Sequence, residues 1–504
     1  MKTNIIKLTS LVAFLLLSGG CTTTSPTDEN ATVTRDTKAL FPHSFELTTL
    51  TADTDTIKKS VALTSATRID RLLEGTLPLK DVFTPELLYR TSLNAKCYGP
   101  TLLYENHPDG TTPNSGELPS GDLGIWTISE GTTTQACTAA ELDAKMNGVK
   151  SRTKSGLFLL ASSLSAMYDN GLTLPTLGSG ALDLTSYMPT TITDVAFTSV
   201  TIEYTATDEY TYNIEFTYTH DGHDDAITFN IIHKPDSTST QYIGLMNYQI
   251  EDRMVGGNCG TAEHNITRKG SLVYQRTTTT DFSVDAREAD FCTHNLTDGF
   301  DSDGLLDPSD TLDTTSNPDG WGNNYSRFIA NYDAINLSGK YVYVWQAGPY
   351  DPYSRVLQIG LNDHSPVDGE SYFGYAAQVF DTTATFGENL GMICNWAGPG
   401  NSKTPQLFAQ REFLRFNSST NFFEVPTGGD DIVYAPTNDC TYLGTDSFEY
   451  DRNQDDNASN DIVIVKVGAT GSSELEFDLF SYTGSTVAAM LKNRGATLPT
   501  APVW

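Results

Sequence analysis

TDEYTYNIEFTYT, residues 207–219, alternates between large apolar side chains and polar ones. Tyr210, Tyr212, Ile214, Phe216 and Tyr218 fall on one side, and Thr211, Asn213, Glu215 and Thr217 on the other. Successive side chains of an extended strand point to opposite faces, so this pattern predicts a strand buried on one face only. His220-Asp221-Gly222-His223 follows, with a dipeptide suited to a two-residue hairpin turn, and Ile227, Phe229 and Ile231 resume the alternation. The stretch is therefore read as an antiparallel hairpin.

The same texture recurs in QYIGLMNYQI, GSLVYQR, KYVYVWQ, SRVLQIGL, YFGYAAQVF, QLFAQREFLRF, DIVIVKV and LEFDLF, each bounded by Gly, Asn, Asp or Pro. Many strands joined by polar connections predict a mainly β chain with a minor α part, built as antiparallel β-sandwich or barrel-like domains. Parallel α/β architecture is disfavoured. One long helical pattern stands apart: Leu142, Met146, Val149, Leu157, Leu160, Leu164 and Met167 follow near helical spacing. Thr138 with Glu141 reads as a capping box and Asn170-Gly171 as the stop, while Gly148 and Gly156 leave two shorter helices as an alternative.

The expected organisation is a leader over 1–20, a flexible tether over 21–37, a mixed α/β region over 38–187 and an antiparallel β domain over 188–296. An acidic linker over 297–324 and a β-rich domain over 325–504 complete it. The leader places Lys2 and Lys7 ahead of an apolar run from Leu8 to Leu17, too short for the ~20 residues of a membrane-spanning helix. Ser18, Gly19 and Gly20 then precede Cys21. This arrangement resembles the lipobox of bacterial lipoproteins, with Leu17 rather than Ser18 supplying the large apolar residue. The resemblance implies cleavage before Cys21 and lipid attachment to its thiol. Thr22 stands where an aspartate would signal inner-membrane retention, so the outer membrane is the implied address, with the periplasmic or extracellular face left open.

The chain carries 63 acidic and 31 basic residues, a formal charge of −32. That balance argues against nucleic acid as a partner, because phosphate binding needs a basic footprint. Besides Cys21 there are six cysteines, Cys97, Cys137, Cys259, Cys292, Cys394 and Cys440. An even set in an exported chain implies disulfides. Sequential pairing, Cys97 with Cys137, Cys259 with Cys292 and Cys394 with Cys440, is the expected arrangement. No CxxC or CxxCH occurs, which removes haem attachment, a thioredoxin-like site and zinc ribbons.

TDGFDSDGLLDPSD, residues 297–310, holds the densest cluster of oxygen ligands. Asp301, Asp303 and Asp307 around Gly304 offer the hard donors that suit Ca2+. The loop is not an EF-hand, since Leu305 and Leu306 stand where an oxygen ligand and a glycine are needed. DSDGLLDPSD does resemble a single thrombospondin type 3 calcium repeat, which implies a structural Ca2+; a solvated linker is the alternative. His220 and His223, with Asp221, Asp224 and Asp225, form a second candidate cluster, for a transition metal; a solvent-exposed turn is the simpler reading, because a tight site needs ligands from more than one element. No HExxH or GxSxG is present and no catalytic residue is assigned, nor any nucleotide or haem. The expected function is that of an outer-membrane-anchored lipoprotein of binding or structural type, with an unknown protein or glycan ligand. The alternatives are a surface-tethered polysaccharide hydrolase, whose paired carboxylates need no linear motif, and an accessory subunit of a surface assembly.

Overall fold

The computed structural model describes residues 37, 39–50, 65–93, 136–236, 241–252, 266–291, 300–306, 324–335, 337–346, 354–360, 368–375, 409–417, 419, 422–424, 430–434, 440–444, 447–450, 462–465 and 498–504. Helix α1 spans Ser65–Leu73 and helix α2 spans Cys137–Asp169. The strands follow as β1 Leu182–Asp183, β2 Val195–Ala206, β3 Glu209–His220, β4 His223–Pro235, β5 Tyr242–Asp252, β6 Ile266–Arg276 and β7 Asp281–Phe291. They continue as β8 Asn324–Asp333, β9 Gly339–Gln346, β10 Ser354–Gly360, β11 Asp368–Tyr375, β12 Ala409–Asn417, β13 Phe422–Glu424 and β14 Asp430–Tyr434. Strands β1 to β13 each pair with the next and β14 pairs with β12, giving one 14-stranded sheet; the pairings are antiparallel throughout. A separate three-stranded sheet holds β15 Cys440–Gly444, β16 Ser447–Tyr450 and β17 Ile462–Val465. The protein is mainly β and antiparallel with a minor α part.

The hairpin that opens the sequence reading is strands β3 and β4, with His220 opposite His223. Asp221 and Gly222 have φ of 49° and 86°, the paired positive values of a tight hairpin turn. Tyr212, Ile214, Phe216 and Tyr218 on β3 and Ile227, Phe229 and Ile231 on β4 are all buried, on the face that α2 covers.

Helix α2 is a single 33-residue element. It is buried nearly all round in its second half, where Leu157, Phe158, Leu159, Leu160, Ala161 and Leu164 are in the core. A helix apolar on every side belongs inside. Gly156 permits the contact with the sheet, because a Cβ there would lie 2.8 Å from Met246 Sδ and 3.1 Å from Phe229. The glycine that weakens the helical pattern is what lets the helix seat. The buried serines bond inward along the helix: Ser151, Ser155 and Ser163 donate to the carbonyls of Asn147, Ser151 and Leu159. The helix starts differently from the expected capping box. Thr138 lies inside it, Ala136 precedes it without a side-chain cap, and the Ala136 N–H donates to the Phe423 carbonyl on β13. A tertiary contact replaces the local one. The end is as expected, with Asn170 donating back to Ala166.

Three tyrosines tie the segment 39–50 to the same face. Tyr212, Tyr242 and Tyr332 donate to the carbonyls of Leu40, His43 and Glu46 at 2.7, 2.8 and 2.7 Å. Each ring is buried while its hydroxyl is satisfied, and Phe41, Phe45 and Leu47 complete the packing. On the β5–β6 pair Tyr274 lies over Gly244 and Tyr248 over Gly270, directly opposite in register, and a Cβ at either glycine would collide with the ring. These reciprocal pairs fix the register of the two strands.

The expected domain boundary at 297–324 does not divide the sheet. β7 and β8, on either side of it, pair over Asp281–Asp290 and Asn324–Asp333. Residues 300–306 lie instead on the face opposite α2: the Leu306 N–H donates to Ser271 Oγ, Arg287 donates to the Leu306 carbonyl and Asn247 to that of Gly304. No helix among the described residues is long and apolar enough to cross a membrane.

Candidate functional site

The α2-facing positions of β3, β4 and β5 run apolar along most of their length and become polar where the three strands end together. On β3 the series Tyr212, Ile214, Phe216, Tyr218 finishes at His220; on β4 the series Ile231, Phe229, Ile227 begins at Asp225; on β5 Tyr248 and Ile250 lead to Asp252. Tyr218 is directly opposite Asp225 and Ile227 opposite Ile250. Because side chains alternate with period two, His220, Asp225 and Asp252 all face the same way. One ligand atom from each lies within 4.8 Å of the others.

The Asp225 side chain is fully buried, whereas that of His220 is 24% exposed. His220 Nδ1 is 3.9 Å from Asp225 Oδ2, is itself buried, and makes no hydrogen bond among the described residues. The 3-10 turn Pro85–Tyr89 brings Tyr89 over the group. Its hydroxyl donates to Asp225 Oδ2 at 2.9 Å and its ring stacks on the His220 imidazole with centroids 4.5 Å apart. Tyr218 stacks on the imidazole at 5.6 Å and donates to Glu86 Oε1 at 2.8 Å. Burial, then the charges of Asp225 and Asp252, push the Tyr89 phenol well above its usual range, so it stays a hydrogen-bond donor. The arrangement offers one imidazole nitrogen and two carboxylates, with the Tyr89 hydroxyl on Asp225 and the rings of Tyr89 and Tyr218 stacked on the imidazole.

A second charged group lies under the middle of α2. Arg152 makes a two-pronged pair with Glu288 on β7, at 2.7 and 2.6 Å, and donates to the carbonyls of Leu88 and Arg90. Tyr248 donates to the same Glu288 at 2.5 Å. Beside it Arg268 pairs with Asp290 at 2.6 and 2.9 Å. Burial works against the Arg268 charge, but Asp290 and Glu288 more than offset it and hold the guanidinium above its usual range. Arg152 and Glu288 join helix to sheet, Arg268 and Asp290 join β6 to β7, and strand β7 reads as polar in sequence because of them.

Of the residues that the sequence singles out, His220 and Asp225 are brought together. His223, Asp221 and Asp224 stay exposed at the hairpin end. Asp252 and Tyr89 were not expected; the signal for Asp252 is a charged residue in the buried phase of a strand. Asp301 and Asp303 are exposed, and Asp301 Oδ1 accepts the N–H groups of Asp303 and Leu305, both at 2.9 Å. Asp307, Cys21, Cys97, Cys259, Cys292 and Cys394 lie outside the described residues. Cys137 opens α2 and Cys440 opens β15. Comparison with family models, with curated proteins and with solved structures gives no match.

Proposed function

We propose that the protein is a lipoprotein of binding or structural type, anchored in an outer membrane through Cys21, its body stabilised by disulfides among the six remaining cysteines. The observation that carries this reading is the leader: two lysines, a short apolar run and Ser-Gly-Gly ahead of Cys21. The expected tether over 21–37 is rich in Thr, Asp and Asn, a composition suited to a spacer between a lipid anchor and a folded body. The non-catalytic part of the reading is supported by the use to which the buried charges are put. Arg152 and Glu288 are consumed in an ion pair that holds α2 to the sheet, and Arg268 and Asp290 in one that joins β6 to β7. The ligand class that fits is a protein or a glycan, and the acidity of the chain speaks against nucleic acid.

The anchor is tested by Cys21→Ala in cells fed an alkyne-bearing fatty acid. The unaltered protein is expected in the membrane fraction with the label attached, and the variant in the soluble fraction without it. A variant that stays in the membrane fraction would overturn the anchor.

A further inference from the structure

We infer that His220, Asp225 and Asp252 form a binding site for one divalent transition-metal ion of the Zn2+ class. Three features of the fold carry this beyond a chance cluster. First, the donors come from three adjacent strands on one face, with their ligand atoms within 4.8 Å of one another, so the sheet ladder and not the hairpin turn sets their spacing. Donors that share an ion at about 2.0–2.2 Å stand roughly 3–4 Å apart, and the 3.9 Å between His220 Nδ1 and Asp225 Oδ2 lies in that range. Second, His220 Nδ1 is buried and makes no hydrogen bond among the described residues. A ring nitrogen withdrawn from water and 3.9 Å from the Asp225 carboxylate is unsatisfied as a neutral acceptor, and an ion bound there would take up its lone pair.

Third, the donors are supported from outside. Tyr89 holds Asp225 Oδ2 and stacks on the imidazole, and Tyr218 stacks on the same ring while bonded to Glu86. Metal sites depend on such outer groups to fix the ligand geometry. The donor set selects the ion class: imidazole favours Zn2+, Fe2+, Co2+ or Ni2+ over Ca2+, which takes oxygen ligands alone. The partial exposure of His220, 24%, leaves a path for entry. The acidic chain, at −32, concentrates cations around it.

The test is a Zn2+ titration of the full chain, stripped with EDTA, against a competing chromogenic chelator, repeated with Co2+ to read its visible absorption. The expected result is one ion per chain. His220→Gln and Asp252→Asn, which keep side-chain volume, should each weaken binding by about 10-fold or more, as should Tyr89→Phe through loss of the outer hydrogen bond. His223→Ala should leave binding unchanged. Circular dichroism in EDTA checks that each variant folds, and the Co2+ spectrum of the Tyr89→Phe protein provides a second reading if a ligand variant does not. The inference is overturned if the unaltered protein takes up no Zn2+. It is equally overturned if binding survives Asp252→Asn and disappears in His223→Ala, because the exposed hairpin end alone would then be the chelator.

Discussion

Acidification should destabilise this protein through one imidazole, that of His233 on β4. The side chain is fully buried, neither ring nitrogen has a hydrogen-bond partner among the described residues, and the Tyr242 ring lies 5.4 Å away. Burial first, and then the proximity of His43, holds its imidazole down to about 3, against 6.5 when free. The unfolded chain therefore binds a proton below pH 6.5 that the folded chain refuses until near pH 3. With the folded value depressed, the contribution is fully present above pH 6.5 and is lost as the pH falls, at about 1.4 kcal/mol per pH unit. Between pH 7.5 and 5.0 the loss attributable to His233 is about 2 kcal/mol. His233→Leu removes the group without opening a large cavity, and relieves two unsatisfied nitrogens, so the variant should be no less stable at pH 7.5. Urea unfolding of both proteins at the two pH values gives the comparison, in which changes common to the carboxylates cancel. The variant should lose about 2 kcal/mol less than the unaltered protein on acidification. Equal losses would refute the reasoning.

Two further outcomes follow from the charged groups. Arg152→Met removes the guanidinium partner of Glu288 inside the protein and a donor to the carbonyls of Leu88 and Arg90, so it should cost about 3–5 kcal/mol in chemical denaturation; a cost below about 1 kcal/mol would mean that the network does not hold the helix. Asp301→Ala removes the acceptor of two backbone N–H groups and should destabilise by about 1–2 kcal/mol even in EDTA. Calcium at Asp301, Asp303 and Asp307 makes a separate demand: EDTA should lower the melting temperature of the unaltered protein and have no effect on Asp303→Ala. A variant that responds to EDTA as the unaltered protein does would remove calcium from the account.

The hairpin of β3 and β4 is legible because everything that makes it is local: alternation, a two-residue Asp-Gly turn, and a return strand in the same phase. Helix α2 is legible for the same reason, as a long apolar pattern with Asn170-Gly171 at its end. Its beginning is not, because the Ala136 N–H is satisfied by a carbonyl nearly three hundred residues away in sequence on β13. The continuity of the sheet across 297–324 is hidden on similar grounds. Turn-rich, acidic sequence marks an excursion from the sheet, and nothing local distinguishes an excursion from a linker. Strand β7 is hard to see because Glu288 and Asp290 occupy its buried phase, which is allowed only by Arg152 and Arg268. The candidate site was half visible: His220 and Asp225 are neighbours across a turn, but Asp252 joins them only through the register of β5, and Tyr89 only through tertiary packing.

The three tyrosines that hold Leu40, His43 and Glu46 sit on β3, β5 and β8, so the segment they bind runs across the strands. Tension entering the chain ahead of residue 37 would meet these bonds one at a time, the Tyr212 bond first, then that of Tyr242, then that of Tyr332. Serial loading of this kind peels a strap at modest force; parallel loading would require all the bonds to fail together. The segment is thus a strap that would yield stepwise from its first residue inward, each bond passing the load into the sheet in turn, with the Thr49 bond to Asp143 on α2 next in line after that of Tyr332.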